Sequence, residues 1–430
     1  MGAVVADSTH RTCARCAVFA LIVQVGCTPA HPAVPRGACD GSLTLPAGFC
    51  AVVFADSLGA TRHLAVTPGG DVFVARWASK TLPGGLVLLR DTDRDGVADS
   101  VVTWENGGGS GLSLTPDAVY MATWSEVLRY PLERGTLAQS TSPESILVGL
   151  PKSGHAARSI VVSRDRDLFV NIGAPTNSCQ VVDKAAHSPG RDPCPERAGF
   201  AGVWRFDSRR RAQHQGDGQR VVSGVRHMVA LTQHPGNGAL YGVQHGRDDL
   251  YESFPNLFTR ELAEQAPAEE LFRLEPGRDY GWPYCYYDFG LRRKVLAPEY
   301  GGDGTRVGRC ADVALPLFAF PAHWAPNGML FYTGASFPPR YRSGAFVAFH
   351  GAWYRRPPDN GFVVAFLPFV GDTPTASFEV FADGFAGARR HPARAAHRPV
   401  GIAQAPDGAL FVSDDVGGRI WRITYHAPRR

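Results

Sequence analysis

Short apolar runs at the spacing of β-strands recur along this chain, and a turn rich in proline, aspartate and glycine precedes each run. A repeated turn that leads into a buried strand is typical of arrays of like units. Six copies therefore predict an all-β fold, a six-bladed β-propeller with its functional loops around a central shaft. The third copy has Arg164 in place of the proline, and the six span residues 68–74, 116–120, 164–170, 235–241, 326–332 and 406–412.

The copies lie farther apart in the second half of the chain than in the first. A four-stranded blade needs roughly 40–50 residues, and the intervals after residue 164 are longer than this. We therefore predict long loop insertions in the later blades. Long insertions in compact folds are often functional.

The beginning of the chain predicts a segment outside the propeller. Basic residues precede a short apolar run over 17–26 that ends at Cys27, which is the outline of a secretion signal. We assign 1–27 to a signal peptide, 28–44 to a linker and 45–426 to the propeller. The site before Cys27 also resembles a bacterial lipoprotein cleavage site. An exported protein, periplasmic or extracellular, is expected, with a lipid anchor at Cys27 as an open alternative.

The cysteines agree with export. Of the nine, three lie in the leader or at its end, and an even number remains in the mature chain. In an oxidising compartment these six should form disulfides, although six cysteines allow 15 connectivities. Nearest-neighbour pairing predicts Cys39–Cys50, Cys179–Cys194 and Cys285–Cys310.

The charge balance excludes one class of partner. The net charge of +4 is mild, and no basic stripe with interleaved aromatic residues is visible. Proteins that bind nucleic acid usually carry such a stripe. No nucleic-acid partner is therefore expected, and the arginines at 209–211 are interpreted as a solvated hairpin tip.

Histidines and arginines recur beside the predicted blade strands, where loops face one end of the shaft. For each group alone, a solvated loop is the favoured interpretation. Together they predict a ring of cationic donors, which suits a polyanionic ligand. The groups are His155 with Arg158, Arg226 with His227, His245 with Arg247, His350 with Arg355, and His397 with Arg398.

One further pattern suggests a metal. Alternate carboxylates with glycine at the sixth place match the first half of a calcium-binding loop. The twelfth position is Val102 instead of a bidentate glutamate, so a polar hairpin without an ion stays an equal alternative. The residues concerned are Asp91, Asp93, Asp95, Gly96 and Asp99.

Taken in order along the chain, these sequence motifs resemble those of the soluble sugar dehydrogenases that depend on pyrroloquinoline quinone (PQQ). The L-sorbosone and pyranose dehydrogenase branches are the most similar. The resemblance covers about residues 45–425 and implies a six-bladed propeller with PQQ over the shaft. Its most specific pieces are residues 173–179, 280–285, 331–334, 350–353, 398–399 and 412–415.

The resemblance also implies roles for individual residues. His155 matches the catalytic base, which takes the hydroxyl proton of the sugar while hydride passes to PQQ. Arg226 matches the arginine that polarises the accepting carbonyl. The backbone carbonyls of Gly246 and Arg247 match the ligands of the Ca²⁺ that holds PQQ. Residues expected to contact the cofactor are Arg62, His227, His350 and Arg398.

Two departures from the family pattern affect these roles. Glucose dehydrogenases have an aspartate that orients the base, where this chain has Ala174. We therefore expect Asn177 or a water molecule to orient His155. The second departure is His350, which stands where those enzymes have a cofactor-binding lysine. The identity of the sugar stays open for this reason.

Three functions remain from the sequence. The first is oxidation of a sugar or a sugar-derived aldehyde, with electrons leaving to an external acceptor such as a quinone or cytochrome. No haem motif is found in the sequence, so that acceptor is expected to be separate. The second is a calcium-dependent propeller lactonase, in which Asp248 and Asp414 are candidate metal ligands. The third is a propeller that binds carbohydrate or protein without catalysis.

Overall fold

Six antiparallel sheets surround a central shaft and confirm the predicted propeller. The computed structural model describes residues 38–133, 136–138, 141–357, 360–375 and 377–427. Short strands and many turns account for the fold, because β-branched and aromatic residues fill pleated, half-buried positions. The first strand, β1 (Phe49–Ala55), belongs to the last blade.

Blades 1 to 3 are each formed by four strands that follow one another in the chain. Blade 1 contains β2 (Thr61–Val66), β3 (Val72–Arg76), β4 (Gly85–Arg90) and β5 (Ser100–Glu105). Blade 2 contains β6 (Gly109–Thr115), β7 (Ala118–Thr123), β8 (Val127–Pro131) and β9 (Glu144–Leu147). Blade 3 contains β10 (Ile160–Val162), β11 (Asp167–Ile172), β12 (Gly202–Asp207) and β13 (Gln219–Ser223).

Blades 4 to 6 carry the additional elements. Blade 4 contains β14 (Ala230–Gln233), β15 (Leu240–Gln244), β16 (Glu269–Arg273) and, after a hairpin of β17 (Cys285–Asp288) and β18 (Arg293–Leu296), β19 (Phe318–Phe320). Blade 5 contains β20 (Pro326–Phe331), β21 (Gly344–Phe349), β22 (Val363–Val370), β23 (Thr373–Pro374) and β24 (Glu379–Ala382). Blade 6 contains β25 (Pro399–Gln404), β26 (Leu410–Asp414), β27 (Ile420–Tyr425) and β1.

The predicted insertions lie mainly between β15 and β19. This part holds the hairpin of β17 and β18 and both α-helices of the described chain, α1 (Leu250–Ser253) and α2 (Arg260–Gln265). Short 3₁₀ turns occur at Pro195–Ala198, Gln215–Asp217, Pro298–Tyr300, Gly308–Asp312 and Pro339–Tyr341.

The repeated motif forms the second strand of its blade in five copies and a different strand in the sixth. In blades 1, 2, 3, 4 and 6 the phrase leads into β3, β7, β11, β15 and β26, each second from the shaft. The copy at 326–332 instead forms β20, the innermost strand of blade 5, and β21 is the second strand there. The number of blades was predicted correctly, but the motif does not mark the same strand in every blade, because an apolar strand after a turn looks the same at either position.

The hydrophobic core lies between neighbouring blades. One cluster packs Phe346 and Phe366 of blade 5 against Trp421 and Val412 of blade 6. Similar clusters fill the other contacts between blades. Since each blade covers the face of the next, the inner strands are fixed around the shaft.

The ring closes through pairing between the two ends of the described chain. Strand β1 pairs antiparallel with β27, with Phe49 opposite Tyr425. Trp421 is fully buried, and its indole Nε1 donates to Asp40 Oδ2 at 2.8 Å. Just before β1, Leu43 is buried in the core and Thr44 bridges to Asp383, so the final residues of the predicted linker are attached to the propeller.

All three predicted disulfides are present. Cys39–Cys50 ties the chain to β1, Cys179–Cys194 closes the loop after β11, and Cys285–Cys310 closes the insertion in blade 4. The predicted signal peptide, Cys27 and most of the linker lie outside the described residues. Among the described residues, no helix is long and apolar enough to cross a membrane.

Trp421→Ala tests the closure of the ring. We expect the free energy of unfolding to fall by about 3–5 kcal/mol, because a fully buried indole leaves a cavity and loses its hydrogen bond. Urea unfolding followed by intrinsic fluorescence measures this loss. Trp353→Ala is the matched control, since Trp353 is 57% exposed and its loss should change the free energy by no more than about 0.5 kcal/mol. Equal losses in the two variants would contradict this account of the seam.

Candidate active site

The predicted cationic residues meet at one end of the shaft. In blade 1, Thr61 pairs with Arg76, so the start of β2 and the end of β3 mark this end. Blade 6 has the same arrangement, with Pro399 opposite Asp414. The predicted residues at the starts of inner strands or in the loops beside them are Arg62, His155, Arg226, His227, His350 and Arg398.

His155 is held in the orientation of a base. Its Nδ1 lies 2.6 Å from the backbone carbonyl of Ala174. Because a carbonyl only accepts, Nδ1 carries the proton of the neutral ring and Nε2 is left with a lone pair. Among the described residues, Nε2 makes no hydrogen bond. The sequence predicted Asn177 or a water molecule for this role, and Asn177 was wrong, because the backbone carbonyl of Ala174 makes this contact.

Two glycines create the space for this histidine. Gly154 has a φ of +63°, and a Cβ there would meet Pro175 Cα at 2.3 Å. A Cβ on Gly173 would lie 2.8 Å from His155 Cβ and 3.0 Å from His227 Nδ1. Both positions therefore exclude larger residues, and the close packing fixes the two imidazole rings.

Three histidine rings form a row across the pocket. The ring centroids of His155 and His227 are 4.9 Å apart, as are those of His227 and His245. Burial, followed by the nearby Arg226, lowers the pKa of His155 to about 3. Burial also lowers the pKa of His245 to about 4 and that of His227 well below its ordinary value. The row is therefore neutral at physiological pH, which keeps Nε2 of His155 able to accept a proton.

Arg226 is buried beside this row and is held from several directions. Its guanidinium donates to Asn177, to the carbonyl of Gly246 at 2.9 Å and to Asp248 Oδ2 at 3.0 Å. Burial raises the pKa of Asp248, but Arg226 and His323 lower it more, so the carboxylate stays ionised. These contacts fix a positive charge next to His155.

A second network joins blades 1, 5 and 6. Asp415 accepts from Arg62 at 2.6 Å and from His350 Nε2 at 2.8 Å. The other ring nitrogen of His350 therefore accepts from Arg398 Nη2, at 2.7 Å. Burial lowers the pKa of His350 to about 4. His350 is thus a neutral link between a carboxylate and an arginine, whereas a lysine at this position would carry a charge.

Several buried donors at this end have no partner among the described residues. They are Arg62 Nε, Trp77 Nε1 and Arg158 Nε, and the ring nitrogen Nδ1 of His227 is also buried without a partner there. Trp77 stacks on Trp124 with centroids 5.2 Å apart, and the guanidinium of Arg62 lies 4.0 Å from the centroid of Trp77. A flat ligand rich in carboxylate and carbonyl oxygens fits such donors and aromatic faces. The residues present therefore fit PQQ.

The backbone carbonyls of Gly246 and Arg247, which are the predicted calcium ligands, differ in their hydrogen bonds. The carbonyl of Gly246 already accepts a hydrogen bond from Arg226, so an ion there would share this oxygen with a positive charge. The carbonyl of Arg247 accepts no hydrogen bond from the described residues, and the side chain of Arg247 pairs with buried Glu299. Glu269 accepts from the backbone N–H groups of Gly246 and Ala325, at 2.7 and 3.0 Å, and so holds this loop.

The aspartate loop lies at the opposite end of its blade. Strand β4 runs from Gly85, beside Arg76, to Arg90, which pairs with Ser100 far from Arg62. The loop between β4 and β5 therefore cannot share an ion with the residues at the other end of the shaft. Ligand oxygens of Asp91, Asp93 and Asp99 lie within 4.8 Å of one another, whereas Asp95 accepts from the backbone of Val97. A calcium ion in this loop stays a prediction.

Sequence reasoning missed three contributors to the pocket. Asp415 received no role of its own and appeared only within residues 412–415, yet it links Arg62 to His350. His63 and the Trp77–Trp124 pair were not singled out. The position of Trp77 directly after β3, on the side of the shaft where Arg62 lies, was the available signal.

His63→Gln tests whether the histidines at this end stay neutral. Burial lowers the pKa of His63 to about 4, and its Nε2 donates to the carbonyl of Asn327 at 2.7 Å. Between pH 6.5 and 4 the unfolded chain binds a proton at His63 that the folded chain does not, so stability falls as the pH falls. The variant should make the free energy of unfolding less dependent on pH there, by up to about 1.4 kcal/mol per pH unit. Urea unfolding at several pH values measures the slope, and equal slopes for the two proteins would contradict the assignment.

Comparison with curated proteins finds quinone-dependent enzymes. A PQQ-dependent pyranose dehydrogenase from Coprinopsis cinerea is 25% identical over 326 residues, which are 66% of this chain and 41% of that protein. The chain also matches an uncharacterised protein of Borreliella burgdorferi, at 31% identity over 48% of each protein. The chain thus spans less than half the length of both relatives.

Solved structures share the fold. A calcium structure of the Trichoderma reesei Carbohydrate-Active Enzymes Family AA12 protein has a TM-score of 0.72 and 19% identity, covering 92% of this chain and 99% of that one. The holo form of the PQQ domain of Coprinopsis cinerea pyranose dehydrogenase has a TM-score of 0.72 and 18% identity, covering 91% and 98%.

The family assignment rests on nearly the whole described chain. The model of the TrAA12-like family matches residues 43–426, which include every strand of the six blades. This confirms the resemblance inferred from the sequence at the level of the family. The chain belongs to the TrAA12-like family.

Proposed function

We propose that this protein oxidises a sugar hydroxyl with PQQ as its cofactor and Ca²⁺ as the ion that helps to hold it. Membership of the TrAA12-like family and the similarity to a pyranose dehydrogenase support the reaction class. The observation that carries the proposal is His155, whose Nδ1 is bound by Ala174 while Nε2 makes no hydrogen bond with the described residues.

His155 is the general base in this proposal. Its neutral ring accepts the proton of the sugar hydroxyl at Nε2, and the carbonyl of Ala174 stabilises the cation that forms. PQQ, when bound, supplies the quinone that takes up the hydride of the substrate. Arg226, fixed by Asp248, provides positive charge where negative charge develops during the reaction.

The cofactor is held by the cationic end of the shaft. Arg62, His227, His350 and Arg398 are the proposed contacts for its oxygens, and the carbonyls of Gly246 and Arg247 are the proposed ligands of Ca²⁺. Arg62 and His227 each have a buried nitrogen that lacks a partner among the described residues. An acidic ligand provides acceptors for such groups and stabilises the charge of Arg62.

The substrate, the electron acceptor and the cellular location follow from the same proposal. The substrate is a small sugar, and the electrons leave to a separate acceptor of quinone or cytochrome type. Three disulfides support folding in an oxidising compartment, and therefore export to the periplasm or the cell exterior.

The geometry supports the lactonase alternative less well. That chemistry needs side-chain carboxylates that converge on an ion in the shaft. Asp248 is paired with Arg226, and Asp414 accepts from the backbone of Arg398, Val416 and Gly417. Both carboxylates are therefore already occupied by contacts within the protein. A propeller that binds without catalysis is distinguished by the assay below.

His155→Gln tests the base. We expect kcat/KM for sugar oxidation to fall by about 10²–10⁴-fold, because the amide cannot accept the proton. Dye reduction with a panel of aldoses measures turnover, and an absorbance titration should give an unchanged affinity for PQQ. His187→Gln, at an exposed position, is the matched control and should keep full activity. Turnover that survives in His155→Gln with PQQ bound would show that another group is the base.

Arg398→Ala and Asp93→Asn together test where the ions and the cofactor bind. Arg398→Ala should weaken PQQ binding more than tenfold, since it removes a cation that donates to His350 beside the pocket. Asp93→Asn should leave PQQ affinity and its dependence on Ca²⁺ unchanged, because the aspartate loop lies at the far end of blade 1. Titrations of the cofactor-free protein with and without a chelator measure both. Loss of PQQ binding in Asp93→Asn, or the lack of PQQ binding by the unaltered protein at any Ca²⁺ concentration, would contradict the proposal.

A further inference from the structure

A pocket of about 380 Å³ lies beside the end of the shaft that holds His350. It is formed by the insertion that contains α1 and α2, by the loop after β21, and by His323 and residues 390–391, all of which lie outside the repeated blade strands. A volume of this kind is within the usual range for small-ligand sites. The residues most relevant to its chemistry are Tyr251, Glu252, Arg260, Trp353, Tyr354 and His391.

Two large aromatic side chains are exposed where they line this pocket. Trp353 is 57% exposed and Tyr354 is 37% exposed. The ring of His391 meets Trp353 edge to face, with centroids 5.5 Å apart, and so supports it. Exposed aromatic residues that line a concavity are a common sign of a binding site.

The charges around the pocket nearly cancel. Three carboxylates and four guanidinium groups line it: Asp249, Glu252, Glu264, Arg260, Arg355, Arg356 and Arg390. Some of them pair with one another, namely Arg356 with Glu264 at 2.6 Å and Arg260 with Glu252 at 4.0 Å. A balanced set of donors and acceptors suits a neutral ligand with many hydroxyl groups better than an ion.

The pocket touches the candidate active site through one histidine. His323 lines the pocket, and its Nδ1 lies 3.7 Å from Asp248 Oδ1. The other carboxylate oxygen of Asp248 binds Arg226 in the candidate active site. Trp353 follows His350 by three residues, so the two lie within about 11 Å along the backbone. His323 and Asp249 both have φ near +60°, and backbone strain of this kind persists only where the surroundings fix it.

We propose that this pocket binds a second pyranose ring of an oligosaccharide whose reacting ring lies at His155. The inference rests on the proposed function and specifies its substrate class. A pyranose ring has a C–H face that stacks on an aromatic side chain, and Trp353 provides such a face. Its hydroxyl groups lie at the ring edge, where the carboxylates and guanidinium groups of the pocket can pair with them.

The experiment measures binding first, with ligands that are not oxidised. Cofactor-free protein is titrated calorimetrically with the methyl glycosides of glucose, xylose, cellobiose, maltose and xylobiose. At least one disaccharide glycoside should bind ten or more times tighter than its monosaccharide counterpart. Trp353→Ala should abolish this advantage, and Trp353→Phe, the conservative control, should keep part of it. The same variants are then loaded with PQQ and Ca²⁺, and Trp353→Ala should raise KM for the free disaccharide while leaving monosaccharide turnover unchanged.

The outcomes separate this inference from the proposed function. The lack of a disaccharide advantage, or an advantage that survives unchanged in Trp353→Ala, would overturn the pocket assignment whether or not sugars are oxidised. Binding that depends on Trp353 without oxidation of any sugar would support the pocket and contradict the dehydrogenase. Circular dichroism of the variants confirms that a loss of binding is not a loss of fold.

Discussion

The pairing of β1 with β27 is the constraint on which the rest of this structure depends. Without it the last blade has three strands, and the ring of inner strands has no fixed circumference. The residues around the shaft come from all parts of the chain, and few of them contact each other through neighbouring sequence. Arg62 meets Asp415, and His63 meets Asn327, only because the ring is closed. The chemistry of the pocket is therefore a consequence of the seam.

Within that ring, burial and nearby charges set the protonation states of the histidines. Arginines that cannot lose their protons surround histidines that are buried, and the result is a set of neutral imidazoles. Each neutral ring is then given a tautomer by one contact, to Ala174 for His155 and to Asp415 for His350. The base His155 and the fixed positive charges of the arginines thus lie side by side without neutralising one another.

The sequence predicts the number of blades, the disulfides and the end of the shaft that carries the cations. These features leave local signals, namely turn residues before strands, cysteine spacing, and histidines beside the repeats. The group that orients His155 leaves none, because the backbone carbonyl of Ala174 is available at any residue type. Two further features depend on the order of the strands within a blade, which the pattern of apolar residues does not encode. They are the place of the repeated motif in blade 5 and the end of blade 1 at which the aspartate loop lies. The Trp353 pocket was missed for a similar reason, since its walls come from connections that are far apart in the chain.

The seam also has a consequence for the order of folding. Phe49 and Tyr425 stand opposite each other, although nearly the whole propeller separates them in the chain. During synthesis β27 is the last strand to be made, so β1 stays unpaired while five blades assemble. The bond between Cys39 and Cys50 needs no distant partner and can form early. It ties the start of β1 into a short, closed loop before β27 is made, so the strand has fewer conformations while its edge is unpaired and open to pairing with another chain.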